Sequence, residues 1–225
     1  MKTSDEKTAH QCIVILGGSF DPVHSAHVAL AELFIDLLRP TQLRIIPTGW
    51  SWQKAACRAN PEQRIAMLSL AFAKLAQTTP LVIDTREIKR AEPGLQSYSV
   101  DTLTQLRDEF GPSVSFVFLI GADQLQQLHH WKNWRHLFEL THIAVAARPG
   151  WSFSLDASNG IDPSVANEFK QRANSIEQLR AQPCGHTYLC ADLSIAISST
   201  QIRDGNNLSL IPPDVLNYIQ QHHIY

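Results

Sequence analysis

The sequence predicts an α/β protein built on a doubly wound parallel sheet. Short apolar runs recur along the chain, and segments of helical periodicity separate them. One run, Val114–Ile120, is apolar at nearly every position, as a central parallel strand covered on both faces must be. Five or six such strands joined by helices imply right-handed crossovers and a ligand site outside the strands' carboxyl ends, near the switch in strand order.

The first strand is Cys12–Leu16, stopped by Gly17-Gly18. Leu30, Leu33, Phe34, Leu37 and Leu38 then follow the i, i+3, i+4, i+7, i+8 pattern of a helix that Pro40 ends. Leu43–Pro47 is the second strand. Asn60-Pro61-Glu62-Gln63 reads as a helix start, with Asn at the N-cap, Pro at the first position and Gln at the third, and Ile65, Leu68, Phe72 and Leu75 mark its buried face. Leu81–Ile88 is the third strand. Ser99–Phe110 is a helix with Val100, Leu103, Leu106 and Phe110 on one side, closed by Gly111-Pro112. His142–Ala147 and the weaker His186–Ala191 complete the strands, and Asp214–Gln221 is a C-terminal helix. Residues 1–225 form one domain, with the polar stretch 149–183 as a peripheral insertion.

The chain has 225 residues, 44% hydrophobic and 18% charged, which supports a full core and argues against disorder. A net charge of -2 gives no basic surplus for binding a nucleic-acid duplex, though a small anion needs only a few local donors. No segment approaches the roughly 20 apolar residues of a membrane span, and the polar start lacks a signal-peptide pattern, so a cytoplasmic location is expected. Cys12, Cys57, Cys184 and Cys190 are scattered, with no C-x-x-C, and read as reduced thiols. A homo-oligomer is allowed.

Two segments carry chemistry. After the first strand stands Gly17-Gly18-Ser19-Phe20-Asp21-Pro22-Val23-His24-Ser25-Ala26-His27. The glycines permit close backbone approach, and the helix opening near Ser25 aims about half an elementary charge at the same place. His24 and His27, three apart, share one face of the first turn and can donate to phosphate oxygens. Capping residues or two members of a zinc site are the other readings of these histidines. H-E-x-x-H is absent, as is the G-x-G-x-x-G of a dehydrogenase. Near the other end, Ile197-Ser198-Ser199-Thr200-Gln201-Ile202-Arg203 puts hydroxyls at a helix start with an arginine one turn in. Such a group can hold outer phosphates, or it is an ordinary cap with a solvated arginine.

Together, Gly17–His27 resembles the G-G-[ST]-F-D-P-x-H-x-G-H signature of the nucleotidyltransferase superfamily, and Ile197–Arg203 resembles its I-S-S-T-x-I-R motif. The matches sit at opposite ends, so the resemblance covers nearly the whole chain and implies a Rossmann-like nucleotidyltransferase fold. Ala26 stands where the family usually has Gly. Ile120-Gly121-Ala122-Asp123, Arg148-Pro149-Gly150, Arg86-Glu87-Ile88-Lys89-Arg90 and Ser97-Tyr98-Ser99 are similar to segments of the bacterial nicotinate-nucleotide adenylyltransferases.

That resemblance implies roles. ATP would lie on Gly17, Gly18, Ser19, Phe20, His24 and His27, faced by Ser198, Ser199, Thr200 and Arg203. His24, His27 and Arg203 would be catalytic. The acceptor would meet Lys54, Tyr98, Ser99, Gly121, Asp123, Trp131 and Arg148, with Trp131 stacked on the pyridine ring and Tyr98 and Ser99 near its carboxylate. Packing for Trp131 and a helix N-cap for Asp123 are alternatives. In the loop 48–59 only Lys54 remains of the family's Pro-Pro-His-Lys. The implied reaction joins ATP and nicotinate mononucleotide into nicotinate adenine dinucleotide and pyrophosphate, with Mg²⁺ held mainly by substrate phosphates. Transfer to nicotinamide mononucleotide or phosphopantetheine, and a non-catalytic nucleotide-binding module, are the rivals.

Overall fold

A computed structural model describes residues 11–49, 57–92, 96–146, 155, 159–190, 202–203 and 207–225. Its centre is a six-stranded sheet, all parallel: β1 Cys12–Gly18, β2 Gln42–Pro47, β3 Leu81–Ile83, β4 Ser115–Gly121, β5 His142–Ala146 and β6 Thr187–Cys190, in the order β3-β2-β1-β4-β5-β6. The doubly wound expectation therefore holds. Strand order reverses between β1 and β4, which places the ligand crevice at their carboxyl ends.

The helices are α1 Ser25–Leu38, α2 Pro61–Ala71, α3 Arg86–Lys89, α4 Ser99–Phe110, α5 Ala122–Gln127, α6 Leu137–Leu140, α7 Pro163–Arg172, α8 Ile176–Ala181 and α9 Pro213–His222. They cover both faces of the sheet because strand residues alternate sides. Cys12, Val14 and Leu16 pack on one side with Leu30 and Phe34 of α1, Met67 and Leu68 of α2, Leu179 of α8, and Val215 and Ile219 of α9. Ile13 and Ile15 pack on the other with Val100, Leu103 and Leu106 of α4 and Phe169 of α7. The described part of 149–183 thus carries the connection from β5 to β6. No helix among the described residues is long and apolar enough to cross a membrane.

Local signals set most ends. Asn60 Oδ1 accepts from the Gln63 N–H at 2.8 Å while Gln63 Oε1 accepts from the Asn60 N–H at 2.9 Å, a reciprocal cap that opens α2. Gly111, at φ 84°, closes α4 in a backbone region that favours glycine. Two expectations need correction. The third strand stops at Ile83 rather than Ile88, because Asp84 Oδ1 accepts from the Arg86 N–H at 3.0 Å and bends the chain into α3. The face expected of α2 and its continuation is buried at Leu68, Phe72 and Leu75, but at its first turn Arg64 is buried and Ile65 is only partly covered.

His142, at the start of β5, gives the fold an acid limit. Its Nδ1 accepts from the His186 N–H at 3.0 Å and its Nε2–H donates to the Gln182 carbonyl at 2.9 Å, so both ring nitrogens serve the neutral form. Burial, with smaller contributions from His186 and Arg107, pushes its pKa from 6.5 down to about 4. The unfolded chain therefore binds the proton first, and stability present above pH 6.5 is lost as pH falls toward 4. The loss should reach about 3 kcal/mol at one pKa unit per 1.36 kcal/mol. Urea unfolding at pH 7 and pH 4, compared with His142→Gln, isolates it. An equal pH dependence in both proteins would remove His142 as the cause.

Candidate active site

The loop after β1 forms one wall of the crevice. β1 pairs with β2 as far as Gly18↔Pro47 and with β4 as far as Leu16↔Leu119. The glycines sit in close packing: a Cβ on Gly17 would stand 3.2 Å from the Phe118 ring, and one on Gly18 would stand 3.1 Å from the Phe20 ring, so either ring would have to give by a few tenths of an ångström. Phe20 itself is buried at φ 48°, a left-handed conformation unusual for a bulky residue.

α1 begins with His24 as its N-cap, and Ser25 is its first residue. The His24 N–H donates to His27 Nδ1 at 3.2 Å. In the neutral imidazole this leaves the His27 proton on Nε2, which can act as a donor. The two rings stack with centroids 3.7 Å apart, and the Phe20 ring meets His27 edge-on at 5.0 Å. His24 is 4% exposed, whereas His27 is only partly covered. Ala26 is buried on the inner face of α1, where a methyl group fills core space.

Arg203 reaches this loop from the far end of the chain. Its guanidinium donates to the Asp21 carbonyl at 2.6 Å and stands 3.7 Å from the Asp21 carboxylate. The two distant motifs are therefore in contact, three residues before His24. Ser198, Ser199 and Thr200 lie outside the described residues, as do Lys54 and Arg148.

Asp21 is the organiser that sequence reasoning passed over. At 4% exposure, its Oδ1 accepts from the Ala59 N–H at 3.0 Å and the Tyr225 hydroxyl at 2.6 Å, while Oδ2 accepts from the Arg58 N–H at 3.0 Å. Arg64, also missed, donates from one nitrogen to the Ser19 carbonyl at 2.9 Å and the Thr48 carbonyl at 2.8 Å, fastening the loops after β1 and β2 together. The available signal was a charge one turn before Met67 and Leu68, at the head of the helix's apolar stripe. Glu87 anchors the same region from below: its carboxylate takes the Thr102 hydroxyl at 2.6 Å and the Gly49 N–H, and burial pushes its pKa up. A Cβ on Gly49 would lie 2.1 Å from the Glu87 carbonyl, so only glycine fits there.

The second wall rises from β4. Trp131 packs against Phe118 with ring centroids 6.2 Å apart, and Phe118 also touches Gly17, so the aromatic pair links the two walls. Tyr98 caps α4, with Ser99 as the helix's first residue. The Tyr98 hydroxyl donates to Gln96 at 2.6 Å, and Lys132, next to Trp131, sits 4.5 Å over its ring. Gly121, not Asp123, is the N-cap of α5. Asp123 is exposed in the first turn, and its Oδ1 folds back to within 2.6 Å of where a Cβ on Gly121 would stand. Trp134 is buried in the core. Among the described residues no group of three or more His, Cys, Asp or Glu side chains is arranged to hold a metal ion.

Comparison with known proteins follows the same outline. The family model described as cytidylyltransferase-like matches residues 15–205. A relative from Herminiimonas arsenicoxydans, named "Probable nicotinate-nucleotide adenylyltransferase", is 46% identical over 224 residues, covering 97% of this chain and 99% of its own. One of the same name from Dechloromonas aromatica (strain RCB) is 38% identical over 217 residues, covering 94% and 96%. Among solved structures, the Plasmodium falciparum nicotinic acid mononucleotide adenylyltransferase complexed with NaAD matches with a TM-score of 0.68 at 18% identity, over 96% of this chain and 98% of that one. At that identity the likeness carries the fold alone. Motifs, strand order and identity along nearly the full length agree, and the chain belongs to the cytidylyltransferase-like family, within the nicotinate-nucleotide adenylyltransferases.

Proposed function

We propose that this chain transfers the adenylyl group of ATP to nicotinate mononucleotide, giving nicotinate adenine dinucleotide and pyrophosphate, a step of NAD synthesis in the cytoplasm. The carrying observation is the contact of Arg203 with Asp21, which brings a guanidinium to the loop of His24 and His27 at the strand-order switch. The names of the relatives support the same reading.

The acceptor's phosphate oxygen attacks the α-phosphorus in line, and pyrophosphate leaves. The nucleophile is already an anion, so catalysis rests on positioning and on neutralising growing negative charge. Gly17, Gly18, Ser19 and Phe20 form the floor beneath the phosphates. His27 donates from Nε2 and His24 backs it, with the α1 N-terminus behind both. Arg203, with Ser198, Ser199 and Thr200, receives the leaving phosphates. Mg²⁺ fits as an ion carried in on ATP: the Asp21 carboxylate is already surrounded by donors, and hard cations of this size accept phosphate and water as ligands. Its chemistry would be to offset charge on the outer phosphates. On the acceptor side, Trp131 offers a flat face to the pyridine ring. Tyr98 and Ser99 open α4 toward its carboxylate, and Gly121 and Asp123 meet the nucleotide sugar, with Lys54 and Arg148 as further donors.

Pyrophosphate release from ATP is the test, with nicotinate mononucleotide, nicotinamide mononucleotide and phosphopantetheine as acceptors. The fastest release is expected with nicotinate mononucleotide. Faster release with either of the others would reassign the acceptor, and ATP binding without release from any would make the chain a nucleotide-binding module.

A further inference from the structure

We propose that Tyr225 is a positioning residue for adenylyl transfer, acting through Asp21 on the loop that carries His24 and His27. The proposal rests on the reading of the site given above.

Tyr225 follows α9 and sends its hydroxyl to Asp21 Oδ1, 2.6 Å away and 204 positions earlier in the chain. The same oxygen takes the Ala59 N–H, and its twin takes the Arg58 N–H, both at 3.0 Å. Arg203 completes the set by donating to the Asp21 backbone carbonyl. One side chain thus ties together its own loop, the approach to α2, the end of the chain and the second motif. Burial, and then the hydrogen bond to Asp21, push the Tyr225 phenol well above its ordinary pKa, so it stays protonated and able to donate.

The phenol contributes little to holding the fold. α9 is anchored by Val215 and Ile219, which are in the core, and it packs against α2. Tyr225 as a residue is 37% exposed, and replacing it with Phe keeps whatever apolar area the ring buries, so the hydroxyl's own role is the directed contact to the carboxylate. What the phenol fixes is where Asp21 stands. Asp21 lies three residues before His24 and six before His27, and it holds Arg203 through its own carbonyl. A shift of Asp21 moves both imidazoles and the guanidinium together. Errors of about 1 Å in such groups cost on the order of 100-fold in rate, whereas ground-state binding of the acceptor, on the β4 wall, is untouched.

The test compares wild-type protein with Tyr225→Phe, which deletes one oxygen and keeps the ring. Pyrophosphate release is measured against nicotinate mononucleotide concentration at saturating ATP, with thermal unfolding alongside. A roughly tenfold lower kcat is expected, the scale of one charge-assisted hydrogen bond, with an unchanged KM for the acceptor and a protein still folded at the assay temperature. Wild-type kcat in Tyr225→Phe, with or without a lower Tm, would overturn the proposal and leave the contact as packing. A second comparison separates action through Asp21 from any other route. In an Asp21→Ala background, which removes the acceptor, Tyr225→Phe should add little further loss, because both changes break one linkage. Losses that multiply overturn the proposal, and if Asp21→Ala does not fold, the kcat of Tyr225→Phe alone decides. Wild-type protein that releases no pyrophosphate overturns the reading of the site as well. Wild-type turnover matched by Tyr225→Phe overturns this proposal only.

Discussion

His27→Ala is expected to lower kcat by about 100-fold or more, the cost of removing one well-aimed transition-state donor. The structure explains why the effect should fall on turnover and not on folding. His27 occupies the third position of α1, and alanine is the best helix former there. The change removes the bond from the His24 N–H to Nδ1, a capping contact worth about 1 kcal/mol. What it takes from the reaction is larger. With Nδ1 accepting the capping bond, a neutral His27 carries its proton on Nε2, and the rings of His24 and Phe20 flank it. Pyrophosphate release at saturating substrates, paired with a thermal melt, separates the two effects. Near-normal turnover in a folded His27→Ala protein would remove this residue from the mechanism.

Arg203→Ala should lower kcat/KM for ATP by about 100-fold, again the scale of a lost electrostatic contact in a partly buried site. The guanidinium is mostly covered, and one of its nitrogens donates to the Asp21 carbonyl, which holds the charge beside the loop of His24 and His27. Arg203→Lys is the sharper probe. A lysine keeps the charge but not the planar fork, so it cannot hold Asp21 and a phosphate with the same geometry, and it should restore only a minor part of the lost rate. Inhibition by added pyrophosphate should weaken in both variants. If Arg203→Ala kept wild-type kcat/KM and pyrophosphate affinity, the residue would be a loop fastener only.

Much of the architecture is local and was therefore legible. The apolar runs gave β1, β2, β4, β5 and β6 to within a residue or two, and α4 runs from Ser99 to Phe110 as its pattern predicts. The Asn60 cap, the Gly111 stop and His24 at the start of α1 each depend on neighbours within four positions. Where the reading failed, a side chain had reached the backbone in competition with the pattern. Asp84 ended β3 early by capturing the Arg86 N–H, and Arg64 turned inward on α2 because two carbonyls there required a donor.

The sequence by itself determined the class of fold, the family, and the two motifs proposed to bind ATP, because these follow from periodicity and from residues close together in the chain. Only the tertiary structure decided how the motifs meet. The Asp21 carboxylate joins Arg58, Ala59 and Tyr225 to the first loop, and Arg203 comes to rest on its carbonyl from 182 positions away. A hydrogen bond depends on separation in space, and sequence spacing carries no record of that separation once the chain has crossed the sheet.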